Sequence, residues 1–130
     1  MLIEIDLESN VPIYEQLKNH IIIGIAKKEL LPNDKLPSVR GLAADIGINM
    51  HTVNKAYQQL KNEEYILIHR QKGVVVNPLG AIKADKYYKE KFASTLKPII
   101  AEAMCKDMSQ EEIHTIITYL INDLVGDDVK

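Results

Sequence analysis

The sequence predicts a mainly α-helical protein with a small β-wing, and three observations support this fold class. Apolar residues recur at helical spacing over residues 39–46 and 53–60, and Gly47 separates these two stretches. Two β-rich runs around a polar turn come next, as in a β-hairpin. Helical spacing then returns in the last third of the chain. This order is typical of a winged helix-turn-helix domain, here over residues 1–78, followed by a short helical dimerisation hairpin over residues 79–130.

The first predicted helix begins near Asn10 and Pro12 and runs to about Glu29. Proline is favoured in the first turn of a helix, where its missing N–H would have no partner in any case. The apolar stripe of this helix is Ile13, Leu17, Ile21 and Ile25. Ahead of it, residues 1–7 alternate apolar and acidic side chains, which fits either a short edge strand or an ordered arm.

The next two helices have clear start and stop signals. Ser38 is placed to cap the first of them, Gly47 to end it in a left-handed conformation, and Asn49 to cap the second. The stripe of the second helix is Val53, Ala56, Tyr57 and Leu60. Its opposite side, called the outer face below, carries His51, Asn54, Lys55, Gln58 and Asn62. These hydrogen-bonding, non-acidic side chains are the types that read base edges and phosphates.

Acidic residues avoid the predicted recognition region. There is no Asp or Glu over residues 46–62 or over residues 65–84. The tip of the predicted hairpin instead carries Arg70, Gln71 and Lys72, and Gly73 leads into a valine-rich strand. A cationic tip beside a polar helix can reach the DNA backbone or the minor groove. The sequence therefore predicts double-stranded DNA as a partner.

The run from Val11 to Pro78 resembles the DNA-binding domain of the GntR family of bacterial transcription regulators. The marks of that resemblance are Pro12-Ile13-Tyr14, Leu36-Pro37-Ser38, Arg40, Leu42-Ala43, Gly47, Thr52-Val53, Ala56-Tyr57, Leu60 and Gly73. The resemblance implies a phosphate contact from Arg40, operator contacts from the start of the recognition helix, and further contacts from the wing. The predicted DNA-binding set is Ser38, Arg40, Asn49, Met50, His51, Thr52, Asn54, Lys55, Arg70, Lys72 and Gly73. Within it, His51, Asn54 and Lys55 are the predicted base readers.

Four departures from the family pattern bear on specificity and backbone shape. Family members commonly carry arginine where this chain has Met50, so the usual bidentate reader of guanine is missing. Met50 can instead touch a thymine methyl group or contribute to packing. Glycine is common in the family where this chain has Asn33, Glu64 and Gln71.

The C-terminal region predicts helices that need a partner. Residues 79–106 are helix-rich, with Pro98 marking a kink or a break, and Ser109 with Glu112 forms a capping box for a last helix. The predicted dimerisation residues are Phe92, Leu96, Ile100, Ile113, Ile117, Leu120 and Leu124. A hairpin this small does not form a stable domain alone. A homodimer on an inverted-repeat operator therefore follows, with a monomer whose hairpin packs on its own winged domain as the alternative.

The short tail also places the chain among subgroups of the resembled family. Roughly fifty residues leave no room for a separate effector-binding or aminotransferase-like domain. The tail is most similar to the YtrA-like subgroup, whose compact C-terminal helices serve dimerisation. A small-molecule effector would then have to bind at the dimer or interdomain interface, near Tyr87, Tyr88 and Phe92. With no activation surface apparent, the expected role is that of a repressor.

Composition excludes several other classes. The net charge of −2 argues against a general polycation, and a single cysteine, Cys105, rules out an internal disulfide and suits the reducing cytoplasm. No signal segment and no apolar run of membrane-spanning length is expected. The four histidines, at positions 20, 51, 69 and 114, lack metal-ligand spacing, and no nucleophile or phosphate-loop motif is present. We therefore expect no catalytic site, cofactor or metal, and the remaining rival is a winged helix that binds protein instead of DNA.

Overall fold

A computed structural model describes residues 3–126, and it confirms the predicted fold class. The described residues form five helices and three strands: α1 Ile13–Ala26, β1 Lys35–Leu36, α2 Val39–Ile46, α3 Met50–Asn62, β2 Ile66–His69, β3 Gly73–Val76, α4 Lys86–Cys105 and α5 Gln110–Val125. The chain separates into two compact units between Ile82 and Lys83. The first is called the winged unit below, and the second the tail unit. That these units bind DNA and dimerise, respectively, stays a prediction.

The core of the winged unit lies between its three helices and its sheet. The largest fully buried side chains are Leu17, Ile21, Val53, Tyr57, Leu60 and Ile66. They come from α1, α3 and β2, so burying them joins α3 to the rest of the unit. The Tyr57 hydroxyl donates a 2.8 Å hydrogen bond to the Pro37 carbonyl, which ties α3 to the residues just before α2. Burial raises the pKa of Tyr57 above its ordinary value.

The wing is an antiparallel sheet with one strand more than the sequence predicted. The strand order is β1-β3-β2, with β3 in the centre. Lys35 pairs with Val75 and Leu36 with Val74, so these two residues before α2 form an edge strand that the sequence did not predict. On the other side, His69 pairs with Gly73 across the tip. Gly73 has φ of 77°, a left-handed conformation that favours glycine.

The local signals around the helix-turn-helix are confirmed. Ser38 Oγ accepts a 2.9 Å hydrogen bond from the Gly41 N–H, and Asn49 Oδ1 accepts one of 2.7 Å from the His51 N–H. Gly47 ends α2 with φ of 67° in the left-handed region. Two caps and one glycine therefore set the angle at which α3 leaves α2.

The first helix is shorter than predicted, and the segment before it is an arm. α1 ends at Ala26 because Lys28 adopts a left-handed conformation, so the expected extension to Glu29 is wrong. The described part of the N-terminal segment, from Ile3, contains no strand. It lies along α1 instead, where Gln16 and His20 hydrogen-bond to its backbone. Met1 and Leu2 lie outside the described residues.

The tail unit consists of two helices with little mutual packing. α4 continues as one helix through Pro98, so the break allowed by the sequence does not occur. The capping box is confirmed: Ser109 Oγ accepts from the Glu112 N–H and Glu112 Oε1 accepts from the Ser109 N–H, both at 3.1 Å. Neither α4 nor α5 buries a single residue in this chain. The two helices therefore cover little of each other's apolar surface.

Candidate nucleic-acid interface

The outer face of α3 is open to solvent. Of the predicted base and phosphate contacts on this helix, Met50, His51, Asn54 and Lys55 are exposed, and only Thr52 is partly buried. The opposite side of the helix is fixed in the core by Val53, Ala56, Tyr57 and Leu60. The helix therefore presents a polar surface on a rigid support, as a reading helix requires.

Ser38 and Asn49 have a structural role within the predicted DNA-binding set. Their side-chain oxygens are engaged by the N–H groups of α2 and α3. They orient the N-terminal ends of these helices, and both residues are exposed at those ends. Arg40, in the first turn of α2, is also exposed. A cation near a helix start is placed to meet a phosphate that the free N–H groups attract.

Lys55 is held by an aromatic ring of α1. Its Nζ lies 4.0 Å from the centroid of the Tyr14 ring. One turn after Tyr14, Lys18 Nζ lies 3.3 Å from Gln59 Oε1 of α3 and 3.0 Å from Oε1 of Glu63, the residue that follows α3. These two contacts define the α1–α3 seam. The role of Tyr14 beside α3 could not be predicted from the sequence, because only the tertiary packing of α1 on α3 brings the two together.

The tip of the wing is a cationic projection. Arg70, Gln71 and Lys72 are all exposed, and with His69 they surround a shallow depression of about 300 Å³. Gly73, the last predicted wing contact, is exposed beside them. The nearest acidic residues in sequence, Glu63 and Glu64, lie at the C-terminal end of α3. One of them, Glu63, is engaged by Lys18 in the seam. Local positive charge therefore remains on the tip although the whole chain is slightly acidic.

The tail unit carries an apolar surface instead of a polar one. Among the predicted dimerisation residues, Phe92, Ile117 and Leu120 are exposed. The others are partly buried: Leu96, Ile100, Ile113 and Leu124. An open groove of about 530 Å³ runs along α4 past Phe92, Leu96, Ile100 and Met104. The sequence indicates no room for a ligand pocket of a few hundred cubic ångström inside one subunit. This groove is open to solvent along one helix and is not an enclosed pocket, so that expectation stays a prediction.

The predicted effector region contains an aromatic pair. The rings of Tyr88 and Phe92 stack with their centroids 6.5 Å apart and their planes at 22°. Both side chains and that of Tyr87 are more than half exposed. An effector site at these residues stays a prediction.

Residues 3–126 hold neither a metal-binding cluster nor a membrane-spanning helix. No group of three or more His, Cys, Asp or Glu side chains in this range is arranged to hold a metal ion. None of the helices described here is both long and apolar enough to cross a membrane. Cys105 is exposed with a free thiol.

Comparison with known proteins identifies the family. The family model of bacterial regulatory proteins of the GntR family matches residues 13–76. The transcriptional repressor YtrA of Bacillus subtilis is 33% identical over 125 residues, covering 96% of this chain and 96% of YtrA. The chain belongs to the GntR family. It is therefore a DNA-binding transcription regulator, and its relatives are regulators and not enzymes.

Two solved structures extend the comparison to three dimensions. A transcriptional antiterminator from Listeria monocytogenes EGD-e matches with a TM-score of 0.89 and 30% identity, over all of this chain and 97% of that one. The DNA-binding domain of AraR, solved in complex with its operator ORX1, matches with a TM-score of 0.52 and 25% identity. That match covers 58% of this chain and 98% of the AraR domain. The similarity to YtrA over nearly the whole length also confirms the resemblance to the YtrA-like subgroup.

Proposed function

We propose that this GntR-family regulator is a homodimeric repressor that binds an inverted-repeat operator through α3 and the wing. The proposal rests on the contrast between two surfaces of the chain, that of α3 and the wing tip and that of the tail unit. The outer face of α3 and the wing tip are polar, exposed and free of acidic residues, whereas the tail exposes apolar stripes. A polar, locally cationic surface suits DNA, and an exposed apolar stripe suits a second copy.

Base reading is assigned to the exposed side chains near the start of α3. Asn54 can form a bidentate pair with adenine, and His51 can accept or donate at a base edge. Asn54→Ala should weaken operator binding by about 1–3 kcal/mol and relax the preference at one position in each half-site. Retardation assays on the operator and on a random duplex of equal length check this. Equal loss on both duplexes would assign Asn54 to the DNA backbone instead.

Backbone contacts are assigned to Arg40, Arg70 and Lys72. Alanine at any of them should weaken binding to all sequences about equally, because phosphates carry no sequence information. Each lost contact should also lower the slope of log affinity against log salt by about 0.9. An unchanged slope for all three variants would contradict the assignment. A protein-interaction module would give no salt-dependent retardation of DNA at all.

Dimerisation is assigned to the exposed apolar faces of α4 and α5. The groove along α4 is apolar, and α5 exposes large aliphatic side chains at helical spacing: Ile116, Ile117, Leu120 and Ile121. The charges of the two helices are complementary: α4 carries four lysines and two glutamates, whereas α5 carries three acidic residues and no lysine or arginine. A second copy would therefore cover apolar surface and place opposite charges near one another. It would also bring two recognition helices to successive half-sites.

A single charge on α5 tests the dimer. Ile117 is 39% exposed in the single chain. Ile117→Asp should cost several kcal/mol of dimerisation free energy because it buries a charge in an apolar interface. Sedimentation at micromolar concentration should show a dimer for the wild type and a monomer for this variant. Operator binding should fall as well, although no residue of α3 or the wing has changed.

The matched control is Thr118→Asp, which adds the same charge one residue away. By helical geometry Thr118 lies to the side of the apolar stripe, so this variant should remain dimeric. A wild-type chain that sediments only as a monomer would contradict the dimer. If both variants are monomeric, the interface lies elsewhere on α5.

Repression in the absence of a ligand follows from how little of the tail is enclosed. Its groove is open along one helix, and the proposed second copy would close it. We expect purified protein to retard the promoter of its own gene with no small molecule added. A complex that forms only after a small molecule is supplied would contradict this assignment and favour a ligand-dependent regulator.

A further inference from the structure

Lys55 differs from the other exposed polar residues on the outer face of α3. It lies one turn after His51, but its ammonium group is drawn to the side of the helix that packs against α1. There its Nζ is 4.0 Å from the centroid of the Tyr14 ring. A base reader must extend away from the helix into the groove. The contact with Tyr14 turns Lys55 toward the seam instead.

The Tyr14 ring is a fixed platform for this contact. Tyr14 lies in the first turn of α1, is partly buried, and packs against the hydrophobic core. The face of an aromatic ring attracts a cation within about 6 Å of its centroid. Because the ring is held by the core, it restricts a lysine side chain that would otherwise be mobile. The conformational entropy of the Lys55 side chain is therefore already reduced in the free protein, so less of it is lost when DNA binds.

The second contact of the seam shows why the charge on Lys55 stays available. One turn away, Lys18 contacts the carboxylate of Glu63 at 3.0 Å, so its charge is compensated within the protein. The partner of Lys55 is an uncharged ring, which covers one side of the ammonium and leaves its outward N–H groups free to donate. A compact cation with free donors is suited to a phosphate oxygen.

We propose that Tyr14 is a positioning residue, which holds Lys55 as a preformed phosphate contact at the junction of α1 and α3. The inference rests on the proposed function, because it needs the outer face of α3 to meet DNA. It replaces the sequence-based assignment of Lys55 as a base reader. Tyr14 acts through Lys55 and needs no contact with DNA of its own.

The test is a double-mutant cycle measured by DNA retardation. The probes are a duplex selected from a random library by the wild-type protein and an unselected duplex of equal length. Tyr14→Leu should lower affinity for both about two- to fivefold, as expected for an exposed cation–π contact, with the salt slope kept. Lys55→Ala should lower the salt slope by about 0.9. In the Lys55→Ala background, Tyr14→Leu should cause no further loss.

Conservative variants separate positioning from a general structural effect. Tyr14→Phe keeps the ring face and should restore the affinity that Tyr14→Leu loses. Lys55→Arg keeps both the charge and the contact with the ring, whereas Lys55→Gln keeps neither, so only the first should bind like the wild type. Because Lys55 is on the surface, this pair tests the contact even if Tyr14→Leu folds poorly.

Lys61, in the last turn of α3, supplies the matched control. Combined with Lys61→Ala, Tyr14→Leu should keep its full effect, since the two sites share no contact. If Tyr14→Leu lowers DNA affinity equally in the wild-type and Lys55→Ala backgrounds, the inference is overturned and the proposed function remains intact. A larger loss from Lys55→Ala on the selected duplex than on the unselected one would also overturn it. If the wild type retards neither duplex, the proposed function fails and the inference fails with it.

Discussion

The two units of this chain differ in how much of their apolar surface is buried. The winged unit encloses a core of large aliphatic and aromatic residues, in which Leu60, for example, has no exposed surface. In the tail unit, neither α4 nor α5 encloses a residue, and Leu120 remains 52% exposed. Both units have well-formed, well-capped helices, so local helix signals do not explain the difference. The winged unit buries its core within one chain, whereas the apolar stripe of the tail unit stays exposed, as the proposed dimer requires.

This difference supports the proposed division of tasks between the two units. A reading surface must keep its shape before DNA is bound, and a self-contained core provides that rigidity. A dimerisation surface must be exposed in the monomer, because the free energy of burying its apolar side chains is gained only on association. Substitutions in the winged unit should therefore act on folding, whereas substitutions in the tail should act on assembly.

The largest expected effect comes from the core of the winged unit. Leu60→Ala leaves a cavity between α1, α3 and the sheet, so the free energy of unfolding should fall by about 2–5 kcal/mol. Urea unfolding measures this loss. At low protein concentration, Leu120→Ala should cost much less, because half of that side chain already meets water in the single chain. The cost of Leu120→Ala should grow as concentration rises and the dimer forms. Equal losses at low concentration would mean that the tail has a core of its own.

Features with a short-range cause could be predicted from the sequence. The caps at Ser38, Asn49 and Ser109 and the left-handed Gly47 each depend on residues within three or four positions. The polar outer face of α3 was predictable for the same reason, since helical spacing alone separates it from the buried stripe.

Features that depend on distant residues could not be predicted. Strand β1 exists because Lys35 pairs with Val75, and the contact of Lys55 with Tyr14 depends on the packing of two helices. Pro98 shows the limit of a local rule, since of the kink or break that it allowed, the break does not occur and α4 continues. The end of α1 was missed because Lys28 adopts the left-handed conformation without the usual glycine.

A smaller effect is expected from the polar contact inside the winged unit. Tyr57→Phe removes the hydrogen bond from the Tyr57 hydroxyl to the Pro37 carbonyl and should cost about 1 kcal/mol at neutral pH. Urea unfolding of both proteins at pH 7 measures it. Tyr119→Phe in the tail, where the side chain is largely exposed, is the control and should change little. If Tyr119→Phe lowered the free energy of unfolding as much as Tyr57→Phe, the proposed contrast between the two units would be contradicted.

The same hydroxyl predicts a dependence on alkaline pH. Burial raises the pKa of Tyr57 in the folded chain, so above about pH 10 the unfolded chain releases a proton that the folded chain keeps. The folded state then binds more protons than the unfolded state, and wild-type stability falls as pH rises. Phenylalanine cannot ionise. The advantage of the wild type over Tyr57→Phe should therefore shrink between pH 7 and pH 10.5, and an unchanged difference would argue against a buried hydroxyl.

The smallest expected effect comes from backbone strain, which can be compared at one position in each unit. Glu64, after α3, and Asp107, between α4 and α5, both have φ of 64°, where residues other than glycine are strained. Glu64→Gly should stabilise the winged unit by about 0.5–1 kcal/mol, which is the strain relieved less the flexibility that glycine adds to the unfolded chain. Asp107→Gly should gain less, because aspartate tolerates this conformation better than glutamate. Urea unfolding should show the first gain at every protein concentration, whereas the second should grow as the dimer forms. Glu64→Ala is the control, since it removes the charge but keeps the strained Cβ. An equal gain from alanine would place the effect in the side chain and not in the backbone.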